Sequence, residues 1–263
     1  MKRLNAITVV TLLTLFLALS ACKKKDVNTD AAPASPPDVT APAYSFSRFD
    51  ANGLLKVKLS FAYWDNPLTG LQETISKEAS AYFKISPFDS LFADAGAVSC
   101  QNSFLTKQSN LGYVANGNGA NGISFNDTIG TDWNVAGLPA TSMPAFLFRT
   151  AKPMPKYYGV GNNSIPSTIS RSTGVTIPLG ANLSNADSVF VSLTVGQKFI
   201  RKTIGGLSPS CDFSNTELSV LSSSGGTNAL LQIVPVNYDV SLQSGKKMYF
   251  ANETAYSKFV EVK

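Results

Sequence analysis

From residue 44 onward the sequence predicts an all-β fold of antiparallel β-sandwich modules, and three observations carry that reading. Short runs of alternating polarity recur between turn residues, at 54–63, 79–85, 97–105, 122–127, 144–149, 174–179, 187–195, 198–204, 230–240, 247–251 and 256–262, a spacing characteristic of antiparallel sandwiches or barrels. Within 187–195, Val189, Val191 and Leu193 share one face while Ser188, Ser192 and Thr194 share the other, with Phe190 the exception, so one face packs and the other stays wet. Helical periodicity is confined to two places: 71–81, opened by Thr69 and Gln72 in the manner of a capping box, and a single turn over 215–221 after Ser214.

The chain opens differently. Lys2 and Arg3 make a basic start, an apolar run over 4–19 follows, and the small pair Ser20-Ala21 stands just before Cys22, the layout of a secretory leader over 1–21. The run lies at the short edge of the roughly 17 to 25 residues that cross a bilayer as a helix. Leu19-Ser20-Ala21-Cys22 resembles the lipobox of bacterial lipoproteins. That resemblance implies cleavage before Cys22, acylation of Cys22 and a membrane partner through the lipid anchor, with two or more chains needed for stable attachment.

After Cys22 come Lys23-Lys24-Lys25-Asp26 and then a stretch from 27 to 43 with four Pro, five Ala and no aromatic residue. Residues 22–43 therefore read as a lipidated Cys and a disordered tether, whose reach is about 25 Å as a flexible coil. The lysine cluster resembles the start of mature surface lipoproteins of Bacteroidota. This resemblance implies an outer-membrane location, facing the periplasm or the cell surface.

The body divides at 152–163, where Lys152-Pro153-Met154-Pro155-Lys156 and Gly159-Val160-Gly161-Asn162-Asn163 oppose regular structure. A strand-rich N-terminal domain over 44–156 and a C-terminal domain over 157–263 are expected. The latter has the size and strand number of an immunoglobulin-like or fibronectin-like sandwich, without the Cys-Trp-Cys pattern of antibody domains.

Histidine is absent, which removes Ser-His-Asp and Cys-His nucleophile systems and HExxH zinc sites. No cofactor signature or metal motif is present. The formal net charge of +5 includes Lys2 and Arg3 of the leader, and the body has no basic run beyond Arg201-Lys202 and Lys246-Lys247, so no nucleic-acid footprint is present. The expectation is a non-enzymatic envelope lipoprotein that binds a glycan or an envelope protein partner. The alternative is a carbohydrate-active hydrolase built on a carboxylate pair.

Candidate residues follow from these readings. Trp64, before Pro67 at a strand end, and Tyr157-Tyr158 in the boundary segment are candidate ligand-binding rings, whereas Trp133, followed by Val135 in a strand-like segment, reads as core. Two readings of Cys100 and Cys211 stand side by side: a disulfide across the boundary, or two separate small buried residues. Ser90, Thr128 and Ser188 lie in Asp-Ser/Thr-apolar triplets that resemble the O-glycosylation sequon of exported Bacteroidota proteins. The Asn- and Gly-rich stretch 110–126 reads as an extended hairpin connection rather than a cation loop, since no carboxylate precedes Asp127.

Overall fold

The computed structural model describes residues 50–66, 68–117, 123–124, 126, 128–160, 164–221 and 227–263. Cys22, the leader, the tether and half of the expected strand 122–127 lie outside them. The described residues fall within one compact unit.

The fold is an all-β sandwich. In chain order the N-terminal half supplies β1 (Gly53–Asn66), β2 (Gly70–Phe83), β3 (Val98–Cys100), β4 (Ser103–Phe104), β5 (Thr106–Lys107), β6 (Tyr113–Gly117), β7 (Asp132–Val135) and β8 (Phe146–Arg149). The C-terminal half supplies β9 (Lys156–Tyr157), β10 (Thr168–Ile169), β11 (Val175–Pro178), β12 (Leu183–Ser184), β13 (Ser188–Val195), β14 (Lys198–Gly205), β15 (Ser210–Phe213), helix α1 (Asn215–Ser219), β16 (Thr227–Gln243) and β17 (Lys246–Val262).

One large sheet runs β14-β13-β16-β17-β1-β2-β6-β5. Neighbours along it are antiparallel except β1 and β17, which pair in parallel from Gly53↔Met248 to Tyr63↔Lys258. A small sheet, β4-β3-β7-β8, and a two-stranded ribbon, β11-β15, form the opposing layer. The edge strand β14 carries Lys198, Arg201 and Lys202, charges that discourage pairing with another chain, and the far edge β5 is only two residues long.

Side chains at alternate positions of each long strand reach the interior. On β17 the whole row Met248, Phe250, Asn252, Thr254, Tyr256, Lys258, Val260 and Val262 is buried. The apolar members split into two clusters. The first sets Leu55, Val57, Phe83, Tyr113, Met248 and Phe250 of the large sheet against Val98, Cys100, Trp133, Val135 and Phe146 of the small one. There Phe148 stacks on Phe250 at 3.9 Å between centroids and Phe146 meets the same ring edge-on. The second sets Val189, Val191, Leu193, Leu231, Ile233 and Val260 against Ile177, Cys211 and Phe213 of the ribbon, with Leu218 of α1. The clusters divide almost where 156 meets 157, yet β1 and β17 run through both, so a single sheet joins the two halves.

Polar side chains occupy the gap between the clusters. Asn252 Nδ2 donates to Thr150 Oγ1 and to the Lys152 carbonyl, each at 2.9 Å, and its Oδ1 accepts from Thr131 Oγ1 at 3.1 Å. Asn237 Nδ2 donates to the Pro153 carbonyl, Asp239 accepts from the Ala151 amide, and Lys152 Nζ bonds Asp187. The Pro-rich connection is thus clamped onto β16 and β17, because a backbone that cannot join a ladder must find side-chain partners.

Two expectations change on this structure, and a third is met. Residues 71–81 are not helical; they belong to β2, which pairs along its length with β1. Ala79, Ala81 and Phe83 alternate inward with a period of two, and a ready partner strand across a short turn outweighs a weak local helix preference. The expected strands 247–251 and 256–262 are one strand, because the polar residues Asn252 and Thr254 between them are buried on the inner face of the sheet. The expected turn after Ser214 forms as α1, with Ser214 and Glu217 completing a reciprocal capping box.

Glycine is required where strands turn or crowd. A Cβ on Gly206, where the chain leaves β14, would overlap the Ala186 backbone carbonyl. Ser244 and Gly245, at φ 50° and 81°, turn β16 into β17, the doubly left-handed conformation favoured in two-residue hairpins.

Candidate functional site

The outer face of the large sheet alternates with the buried one and is polar over much of its middle. Its end near the β1–β2 turn departs from that pattern. The register places Phe199 of β14 opposite Thr194 of β13, Thr194 opposite Leu230 of β16, and Leu230 opposite Phe259 of β17. On β1, Tyr63 faces Lys258, so Trp64, one residue on, stands beside Phe259 on the outer face. Phe199, Thr194, Leu230, Phe259 and Trp64 therefore form one row across five adjacent strands.

Strands lie about 4.8 Å apart, so the row is about 19 Å long. Phe199 and Phe259 are each 59% exposed and Trp64 41%, while Leu230 is half-buried between them. Large apolar rings held open to water in line are costly to leave uncovered. The next row inward is polar: Arg201, Ser192, Gln232 and Ser257 lie on successive strands, and Gln232 Nε2 donates to Ser257 Oγ at 3.1 Å. The Arg201 guanidinium lies 5.5 Å from the Phe190 ring centre. Further along the same outer face, away from the row, Val236, Tyr238 and Ala251 pack with Phe190 and Val234 into a third apolar cluster.

The candidate rings thus part company. Trp64 sits on the row. Tyr157 does not line a surface: it is 2% exposed, its hydroxyl donates to the Pro178 carbonyl at 3.1 Å, and its ring meets Tyr256 edge-on. Pairing of β9 with β12 turns it into the second cluster, and burial raises its hydroxyl to about 12. Tyr158 is exposed, with its amide on the Asn182 carbonyl, and it is not part of the row. Trp133 is core.

Phe199, Leu230 and Phe259 are the members that sequence reasoning missed. Phe199 stands among Arg201 and Thr203 on its strand face, whereas Leu230 and Phe259 share theirs with other apolar residues, and only inter-strand register shows that the three align. The local signal was the apolar doublets Phe199-Ile200 and Phe259-Val260, which break strict alternation at the same end of the sheet.

Cys100 and Cys211 are both free and buried, one in each apolar cluster, so the disulfide reading gives way to that of two separate core thiols. Burial pushes both thiols up, that of Cys211 to about 12. Ser90 and Thr128 are exposed. Ser188 is fully buried on β13, so in the folded chain it is closed to a glycan, a correction imposed by its place beside Val236 in the sheet.

Many carboxylates are held by cations, among them Asp94 by Lys107, Asp132 by Arg149, Glu217 by Lys202 and Asp50 by Lys247. Two shallow depressions, of about 330 and 630 Å³, are lined by Tyr82, Gln108, Ser109, Asn110 and Val114 and by Ser170, Arg171, Ser172, Ser219 and Lys263. Neither lining includes an acidic residue. Among the described residues no group of three His, Cys, Asp or Glu is placed to hold a metal ion, and no helix is long and apolar enough to cross a membrane. Comparison of the chain with protein-family models, curated proteins and solved structures finds no match.

Proposed function

We propose that this chain is a lipid-anchored lipoprotein of the outer membrane whose folded part binds a ligand without transforming it, and that the ligand is a glycan laid along Trp64, Phe259, Leu230 and Phe199. The exposed aromatic row across five strands carries this reading. Sugar rings present apolar C–H faces that stack on aromatic faces, while their hydroxyls need polar partners at the margin. The flanking Arg201, Ser192, Gln232 and Ser257 offer those partners, with donors and acceptors both represented. A flat row suits an extended polymer better than a small molecule, which binds in concave sites.

The leader and Cys22 support the anchored half of the proposal. Cys22→Ser is expected to leave a longer precursor that takes up no labelled fatty acid. Native electrophoresis of the protein through gels containing envelope or plant polysaccharides tests the binding half. Retardation on at least one glycan, lost when Phe199 and Phe259 are both changed to Ala, is the expected result. No retardation on any glycan would reject the sugar reading and leave an envelope protein as the partner of the row.

A further inference from the structure

The two ends of the large sheet differ, and the end opposite the aromatic row is where the described residues begin. Asn52 joins that pole together: its amide donates to the Lys247 carbonyl, its Oδ1 accepts from the Lys247 amide, and its Nδ2 donates to the Ile85 carbonyl at 3.0 Å. Lys246 Nζ donates to the same Ile85 carbonyl at 2.8 Å, and Lys84 Nζ to the Pro87 carbonyl. The start of the fold, the loop over 84–91 and the β16–β17 turn are therefore one hydrogen-bonded surface. Phe88, Leu91 and Leu242 stand out from it, 83%, 78% and 71% exposed, with Ile85 half in water.

This loop is shaped rather than loose. The Ser86 amide donates to Asp89 Oδ2 at 2.8 Å and the Asp89 amide to the Ser86 carbonyl, closing a turn that presents Phe88 at its tip. Phe92, by contrast, packs on Tyr82 at 4.9 Å. Lys84 and Lys246 have no carboxylate partner among the described residues, Lys247 is paired with Asp50, and Asp89 is engaged in the turn. The pole is thus apolar at its tip and weakly cationic around it.

We infer that this pole rests on the bilayer that holds the anchor, with Phe88 and Leu91 inserted among the headgroups and Lys84 and Lys246 at the anionic surface. The inference rests on the anchoring of Cys22 proposed above. Along the chain this pole is the part of the described fold closest to Cys22, with 27 residues between Cys22 and Asp50. Exposed apolar side chains ringed by lysine are what an interfacial contact requires. β1 runs from this pole to the row, so Trp64 would stand about 40 Å away, turned to what lies beyond the membrane.

The buried thiols Cys100 and Cys211 allow a selective test, because a thiol-reactive NBD dye applied to the folded Phe88→Cys chain reaches position 88 and spares them. The full lipidated chain is placed on vesicles of equal parts phosphatidylethanolamine and phosphatidylglycerol. The label at 88 is expected to shift to the blue and brighten roughly twofold or more, while the same label in Phe104→Cys, on the outer face of the small sheet, does not change. An unshifted label at 88 on vesicle-bound protein overturns the inference. So does a hexose on the Ser90 peptide of protein from the native envelope, since a hydrated sugar there would hold the loop off the headgroups. Failure to take up labelled fatty acid would sink the anchor alone. The pole contact then stands or falls on whether the label at 88 shifts when the full Cys22→Ser chain meets the same vesicles.

Discussion

Asp94 shows how single side chains hold the loops of the first half. One carboxylate oxygen accepts from Lys107 Nζ at 2.7 Å, and the other accepts from the Tyr113 hydroxyl at 2.6 Å and the Gly96 amide at 2.9 Å. The Lys107 bond, with Tyr113 and Gly96 adding to it, lowers the Asp94 carboxyl to about 2. Because its folded value lies below the ordinary 3.8, the contribution is present above that pH and is lost as pH falls towards 2. Asp94→Asn is therefore expected to remove part of the acid loss of stability between pH 4 and 2, on the order of 1 kcal/mol once solvent screening is allowed for. Chemical unfolding at pH 2, 3 and 6 checks it, and equal pH slopes for parent and variant would count against the assigned role. At the same scale, Cys100 and Cys211 should resist alkylation in the folded chain and both react after denaturation without reductant. A mass corresponding to only one or no alkylated site in the body would contradict two free thiols.

Among the elements, β17 shows most plainly what sequence can and cannot reveal. Its ends, with Met248, Phe250, Val260 and Val262 facing inward, were legible from alternation alone. Its middle was not, because Asn252 looks like a turn residue until Thr131 and Thr150, more than a hundred positions earlier, are brought against it. Similarly, β13 and β14 were read correctly from a local pattern, whereas β2 was misread because its partner β1, not its own propensity, decides its conformation. The exposed aromatic row was legible only at Trp64, since its other rings depend on the register of four strands. Asn252→Ala would leave Thr150 and the Lys152 carbonyl short of a donor in a buried gap, at a cost of about 2 to 3 kcal/mol. The variant's midpoint in urea measures this, and a change below about 0.5 kcal/mol would mean that water takes over the bonds.

At the scale of the whole molecule, one sheet carries two apolar clusters, and β1 and β17 belong to both. Unfolding should therefore be a single cooperative event. Trp133→Ala, which removes a fully packed ring from the first cluster and costs about 3 to 5 kcal/mol, should lower the whole transition rather than split off an early step. Two separated transitions would show that the halves fold independently despite the shared sheet. The same architecture would keep stability and the proposed binding apart, since the buried face supports the fold while the outer row is exposed. Titration calorimetry of the best-retained glycan against Phe259→Ala and the exposed control Leu147→Ala, each paired with a thermal melt, tests that separation most directly. Binding weakened about tenfold by Phe259→Ala alone, with both melting temperatures near that of the parent, is the predicted result. Equal affinity for both variants, or a collapsed melt for Phe259→Ala, would contradict it.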